Sequence, residues 1–187
     1  FDLAVASLSG RHVYSNRGQA GIDGTIATAV GITLGLGAFA HRDEASAPRS
    51  ARRGKDADPK QVLRVTVVMG DLTLSHDASS LALAAATGAD LDIIVADDEG
   101  GGIFATLEHG RAATPQAYDR WFGVAQAVNY EALAAAYRIG FARAYAPSEL
   151  ASILCAPVTG PRLIHAPVER AAHLYAQARN ALCEAEF

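Results

Sequence analysis

Two short polar segments hold the residue types best suited to chemistry. One is Gly70-Asp71-Leu72-Thr73, and the other is Asp97-Asp98-Glu99-Gly100-Gly101-Gly102. Each follows a run of apolar, β-branched residues of the kind that forms a buried strand: RVTVVM before the first, LDIIVA before the second. Gly70 is expected to allow a tight turn at its strand end, and Thr73 to stand where a helix or turn begins. Exposed backbone N–H groups at such a junction favour phosphate. Three adjacent acids repel one another, and at a strand's carboxyl end they more plausibly meet a cation than water. If both strands share a sheet, Asp71 and Asp98 converge. A hard divalent cation bridging to a diphosphate fits that arrangement, because magnesium keeps few protein ligands and shares the rest with phosphate and water.

A third segment, Tyr14-Ser15-Asn16-Arg17-Gly18 followed by Gly21-Ile22-Asp23-Gly24, sits before a run of small residues. Arg17, among polar residues and glycines, is placed to grip a carboxylate or phosphate, or else pairs with a neighbouring surface acid. Gly35-Leu36-Gly37 neither follows a strand nor opens a helix, so no nucleotide role is assigned to it.

Strands are expected over His12–Ser15, Arg64–Met69 (buried on both faces), Leu91–Ala96, Phe141–Tyr145 and Arg162–Ala166. Helices are expected over Gly24–Ala38, His76–Thr87, Tyr130–Tyr137, Pro147–Leu154 and Arg170–Cys183. This alternation predicts an α/β fold: a mostly parallel sheet with helices on both faces, ligands binding at the strands' carboxyl ends. The segment 41–60 carries six of the 16 basic residues, with Pro48 and Pro59, and reads as a solvated, mobile loop.

The 187 residues amount to one domain, and a hydrophobic fraction of 50% supports a sizeable core. A net charge of −4 argues against a nucleic-acid partner. The longest uncharged stretch, Gly24 to Ala40, is too short and polar for a membrane span, and no signal peptide is expected. Cys155 and Cys183 read as small core residues in a reducing compartment, the cytoplasm.

Gly70-Asp71 followed by an acidic pair and glycines resembles the metal- and diphosphate-binding motif of thiamine-diphosphate enzymes. Three longer segments narrow the likeness: SNRGQAGIDGTIATAVG, GDLTLSHDASSL and DDEGGGIFATLEHG. They resemble the C-terminal, diphosphate-binding domain of the 2-succinyl-5-enolpyruvyl-6-hydroxy-3-cyclohexene-1-carboxylate synthases of menaquinone biosynthesis, in their actinobacterial form. The likeness extends through Arg120-Trp121-Phe122-Gly123 toward the C-terminus.

The resemblance implies thiamine diphosphate and Mg²⁺ (or Mn²⁺) as cofactors. The metal ligands would be Asp71, Asp98 and the Gly100 carbonyl. Leu72, Thr73 and Gly101 would lie beside the diphosphate, and Ile22 would support the thiazolium. Arg17 would bind a substrate carboxylate, with Ile103 and Phe104 as an apolar wall of the substrate pocket. The substrates would be 2-oxoglutarate and isochorismate. The pyrimidine-binding and middle domains, with the catalytic Glu, would lie outside this chain. A partner subunit's pyrimidine-binding domain would complete the site in a homodimer or homotetramer, and this chain alone would be inactive. Asp97-Asp98-Glu99 departs from the commoner Asn-Asp or Asn-Asn, with Glu99 adding charge beside the metal, and the 41–60 loop is longer than expected. Two alternatives remain open: another thiamine-diphosphate decarboxylase or carboligase, and a non-catalytic remnant or assembly module.

Overall fold

A computed structural model describes residues 13–16, 21–46 and 64–169, the side chains of 38–46, 106, 109 and 111 excepted. Helix α1 (Thr25–Ser46) precedes strand β1 (Val65–Gly70). Then come α2 (Asp71–Asp77), a 3₁₀ turn (Ala78–Ser80), α3 (Leu81–Thr87) and β2 (Leu91–Asp97). A 3₁₀ segment (Gly102–Thr106), α4 (Glu108–Ala112), α5 (Pro115–Tyr118) and a π-turn (Asp119–Gly123) lead to α6 (Tyr130–Tyr137). Strand β3 (Gly140–Arg143), α7 (Pro147–Cys155) and β4 (Arg162–Pro167) follow.

The four strands form one all-parallel sheet in the order β1-β2-β4-β3, bearing out the α/β fold class. Parallel pairing puts every carboxyl end on one edge of the sheet. Gly70 pairs with Ala96, and Asp97 with Pro167. The residues that follow β1 and β2 therefore emerge side by side.

One core holds the sheet to its helices. Ile26 and Val30 of α1, Leu74, Leu81, Ala84 and Tyr130 pack with Leu91, Ile93, Val95 and Leu163. β2 is buried from Leu91 to Val95 as its apolar run predicts, whereas β1 is not. β1 is a sheet edge among the described residues, so Thr66 and Val68 are exposed while Met69 is buried. Sequence pattern marked both runs as apolar but not which one would be central.

At the amino ends of the strands lies a buried ion cluster. Asp92 accepts from Arg64 Nε at 2.6 Å and from Arg162 Nε at 2.8 Å. Arg64 also donates to the carbonyls of Leu91, Val158 and Gly160. The Asp92 carboxylate is thus satisfied on both oxygens, the condition under which a buried charge is tolerated.

Other local expectations shift. Val13–Asn16 carry no strand, and His12 lies outside the described residues. α1 runs on to Ser46, so the segment expected as the 41–60 loop starts as helix, and its remainder lies outside the described residues. The helix expected from His76 begins at Asp71 and breaks at Ala78–Ser80, where Ser80 Oγ donates to Asp77 Oδ1 at 2.6 Å. Cys155 is exposed, not core, because it is the last residue of α7. Cys183 and the helix expected over Arg170–Cys183 lie outside the described residues. No helix among the described residues is long and apolar enough to cross a membrane.

Candidate functional site

β1 passes into α2 without a loop. Gly70 is the N-cap residue, at φ −82° and ψ 167°, an extended conformation open to any residue. The expected tight turn is therefore absent. Asp71 becomes the first helical residue, at the positive end of the helix and at the carboxyl edge of the sheet. It is only 2% exposed. Burial, first, pushes its carboxyl above the usual range, and the charges of Asp97 and Asp98 add to that; the N–H groups of Leu72 and Gly100 pull the other way. Oδ2 of Asp71 has no hydrogen-bond partner.

After β2 the acidic triplet divides. Asp97 turns back into the protein, with Oδ2 2.8 Å from Nε2 of His165 on β4 and Oδ1 accepting the Glu99 N–H at 3.1 Å. Its own carbonyl accepts from Val168 at 2.7 Å. Asp98 and Glu99 continue the turn, with Glu99 in the left-handed region at φ 62°. Gly100 follows at φ 123°, where L side chains rarely go, and a Cβ there would collide with the Gly123 carbonyl. A Cβ at Gly102 would collide with the Asp98 carboxylate. Gly102 lets the chain close tightly around Asp98, the first residue after the strand.

Sequence reasoning missed three supporting groups. His165 stacks on Tyr130, ring centroids 4.1 Å apart. The Tyr130 hydroxyl is buried without a hydrogen bond of ordinary geometry. Burial, then the Asp97 and Asp71 carboxylates, push its pKa upward and keep it a phenol. Asp77 ends α2 and accepts the Ile26 N–H at 2.6 Å, capping α1 from across the fold. That bond ties the start of α1, just after the Gly21–Gly24 segment that holds Ile22, to the helix carrying Asp71. No local pattern announces such pairs.

The structure brings Asp71, Asp98 and Gly100 together, with Leu72 and Thr73 half-buried in the first turn of α2. Gly101 and Gly102 are buried. Phe104 packs on Phe122 at 5.9 Å between centroids, while Ile103 is 64% exposed and Ile22 41% exposed. Arg17 lies outside the described residues.

Among the described residues, the buried side-chain polar atoms without a partner are Asp71 Oδ2, Tyr130 Oη and His165 Nδ1. All three sit at the carboxyl edge of the sheet. Buried polar groups are normally paired, and while the Tyr130 hydroxyl faces the Asp97 carboxylate, the unpartnered Asp71 oxygen is where a ligand fits. No three His, Cys, Asp or Glu side chains among the described residues form a ready-made metal cage. Two carboxylates and a carbonyl instead suit a hard cation that takes its other ligands from phosphate and water.

Comparison with known proteins agrees. The family described as thiamine pyrophosphate enzyme, C-terminal TPP binding domain, matches residues 4–166. The chain belongs to that family. Its members' cofactor is thiamine diphosphate, the same compound as thiamine pyrophosphate. Several curated relatives bear the name 2-succinyl-5-enolpyruvyl-6-hydroxy-3-cyclohexene-1-carboxylate synthase. The protein from Paenarthrobacter aurescens (strain TC1) is 39% identical over 84% of this chain and 24% of its own length. That from Nocardioides sp. (strain ATCC BAA-499 / JS614) is 39% identical over 86% of the chain and 26% of its own length. That from Mycobacterium avium (strain 104) is 35% identical over 97% of the chain and 30% of its own length. The chain thus spans roughly a quarter to a third of these relatives.

Proposed function

We propose that this chain is the diphosphate-binding part of a 2-succinyl-5-enolpyruvyl-6-hydroxy-3-cyclohexene-1-carboxylate synthase, acting in the cytoplasm on 2-oxoglutarate and isochorismate. The observation that carries it is the buried Asp71 carboxylate, one oxygen unpartnered, beside Asp98 and the Gly100 turn. Mg²⁺ or Mn²⁺ bound by Asp71, Asp98 and the Gly100 carbonyl would satisfy that oxygen and offset the clustered negative charge. Leu72, Thr73 and Gly101 line the approach for the diphosphate, which the positive end of α2 also favours.

Bound thiamine diphosphate supplies the carbanion chemistry that decarboxylates 2-oxoglutarate and joins the remainder to isochorismate. The chain's own groups bind and orient. Ile22 supports the thiazolium from the segment tied down by Asp77. Ile103 and Phe104 wall the substrate pocket, and Arg17 pairs with a substrate carboxylate. Asp97, His165 and Tyr130 hold the turn that presents Asp98. The exposure of Ile22, Ile103, Leu107 and Trp121 supports a pyrimidine-binding domain of a partner subunit covering this edge, in a homodimer or homotetramer.

The test combines this chain with the part of the Paenarthrobacter aurescens relative that it does not span. Product from 2-oxoglutarate and isochorismate is expected from the combination and not from the chain alone. Turnover of pyruvate without use of isochorismate would point to a different thiamine-diphosphate carboligase.

A further inference from the structure

The turn from Gly100 to Gly102 lies against Asp71, whose carboxylate takes the Gly100 N–H, and hydrogen bonds distinguish its carbonyls. Gly101 adopts φ −80° and ψ 52°, an inverse γ-turn closed by the Gly102 N–H on the Gly100 carbonyl at 2.9 Å. The Gly101 carbonyl accepts two donors, the Phe104 N–H at 3.1 Å and the Tyr118 hydroxyl at 2.8 Å. A carbonyl oxygen has two lone pairs, so that of Gly101 is fully engaged, while the single bond to Gly100 leaves a lone pair for a cation. The Gly101 N–H is fixed as well, donating to the Gly123 carbonyl at 2.7 Å.

The clamp is built from α5 and the π-turn that follows it. Thr114 caps α5, accepting the Ala117 N–H at 3.3 Å, and so sets the start of the turn that carries Tyr118. The rings of Tyr118 and Phe122 lie 5.9 Å apart, and Phe122 meets Phe104 at the same distance. The π-turn exits through Val124 at φ 44°, a left-handed conformation that a β-branched residue adopts only under constraint. Its backbone presses so closely on the glycines that a Cβ at Gly101 would collide with the Phe122 carbonyl.

We propose that Tyr118 is a positioning residue for the metal: by holding the Gly101 carbonyl, its hydroxyl leaves the Gly100 carbonyl aimed at the cation between Asp71 and Asp98. This rests on the reading of that site as a cation–diphosphate site. It makes Tyr118 a determinant of metal affinity although it touches neither metal nor cofactor.

The probe is Mn²⁺, titrated with saturating thiamine diphosphate into this chain combined with the part of the Paenarthrobacter aurescens relative that it does not span, and followed by electron paramagnetic resonance, which reports both the free ion and the ligand set of the bound one. Tyr118→Phe keeps the ring against Phe122 and removes the hydroxyl alone. Its Mn²⁺ Kd is expected to rise about 5-fold, the worth of one ordinary hydrogen bond, with a broadened bound-ion spectrum and a melting temperature lowered by only about 2–4 °C. Phe122→Leu loosens the same turn from its other side, and a weakened Mn²⁺ affinity is expected there too. Wild-type affinity and spectrum in both variants would overturn the role of Tyr118 while leaving the cation site standing. Failure of the wild-type combination to bind Mn²⁺ with the cofactor would overturn both.

Discussion

Replacing Asp71 with Asn is expected to stabilise the metal-free protein while abolishing its metal-dependent cofactor binding. Asp71 is nearly inaccessible, one carboxylate oxygen has no partner, and Asp97 and Asp98 bear on it. A buried polar group left unsatisfied costs about 1–3 kcal/mol, and more when charged. The N–H groups of Leu72 and Gly100 offset part of this and remain available to an Asn carbonyl. The net gain at pH 7 is about 1–2 kcal/mol, a rise of roughly 2–8 °C in melting temperature for a chain of this size. The pH dependence has a definite sign. The folded pKa lies above the ordinary 3.8, so the penalty is absent below 3.8, grows as pH rises from there and is complete above the folded pKa. The advantage of Asn should therefore be largest near neutrality and vanish in acid. Adding Mg²⁺ and thiamine diphosphate reverses the order: a ligand at 100 times its Kd stabilises the wild type by about 2.7 kcal/mol and leaves the variant unmoved. Thermal unfolding with and without the two ligands, from pH 4 to 8, reads all of this. A metal-free Asp71→Asn protein less stable than wild type at pH 7 would refute the assignment of Asp71 as a strained ligand.

Three further outcomes follow from the same structure. His165→Ala removes both the bond to Asp97 and the stack on Tyr130, and should cost about 2–4 kcal/mol in urea unfolding. Asp92→Ala strands Arg64 and Arg162 in the sheet's amino end and should cost about 3–5 kcal/mol by the same measurement, with cofactor affinity of the folded protein unchanged. Burial raises the Asp92 pKa, but the bonds and charges of both arginines outweigh it and hold the group below 3.8; its stabilising contribution is therefore present above pH 3.8 and lost as pH falls through the folded value. Gly100→Ala meets the Gly123 carbonyl in a conformation hostile to side chains, so calorimetry should find metal-dependent cofactor binding lost and circular dichroism the sheet retained.

The acids were legible because each ends an apolar run. RVTVVM and LDIIVA signal strands, parallel strands end on one edge, and Asp71 and Asp98 follow directly. What was not legible depends on pairs distant in sequence. Asp97 reads as part of an acidic triplet until His165 is seen beside it on the neighbouring strand. Asp77 looks like a solvated helix residue until α1 is placed over it. Tyr118 and the π-turn follow no periodicity, since their conformation comes from packing against glycine backbone. The edge position of β1 was also hidden, because apolar composition gives a strand's burial tendency and not its neighbours.

The most direct measurement is a calorimetric titration of thiamine diphosphate into this chain, with and without Mg²⁺, beside an Asp98→Ala control. Saturable binding that requires Mg²⁺ and weakens at least ~100-fold in the control, the scale of losing a direct charged ligand, is the predicted result. Binding indifferent to Mg²⁺, or equally strong in the control, would contradict the assignment of this edge of the sheet as the cation–diphosphate site.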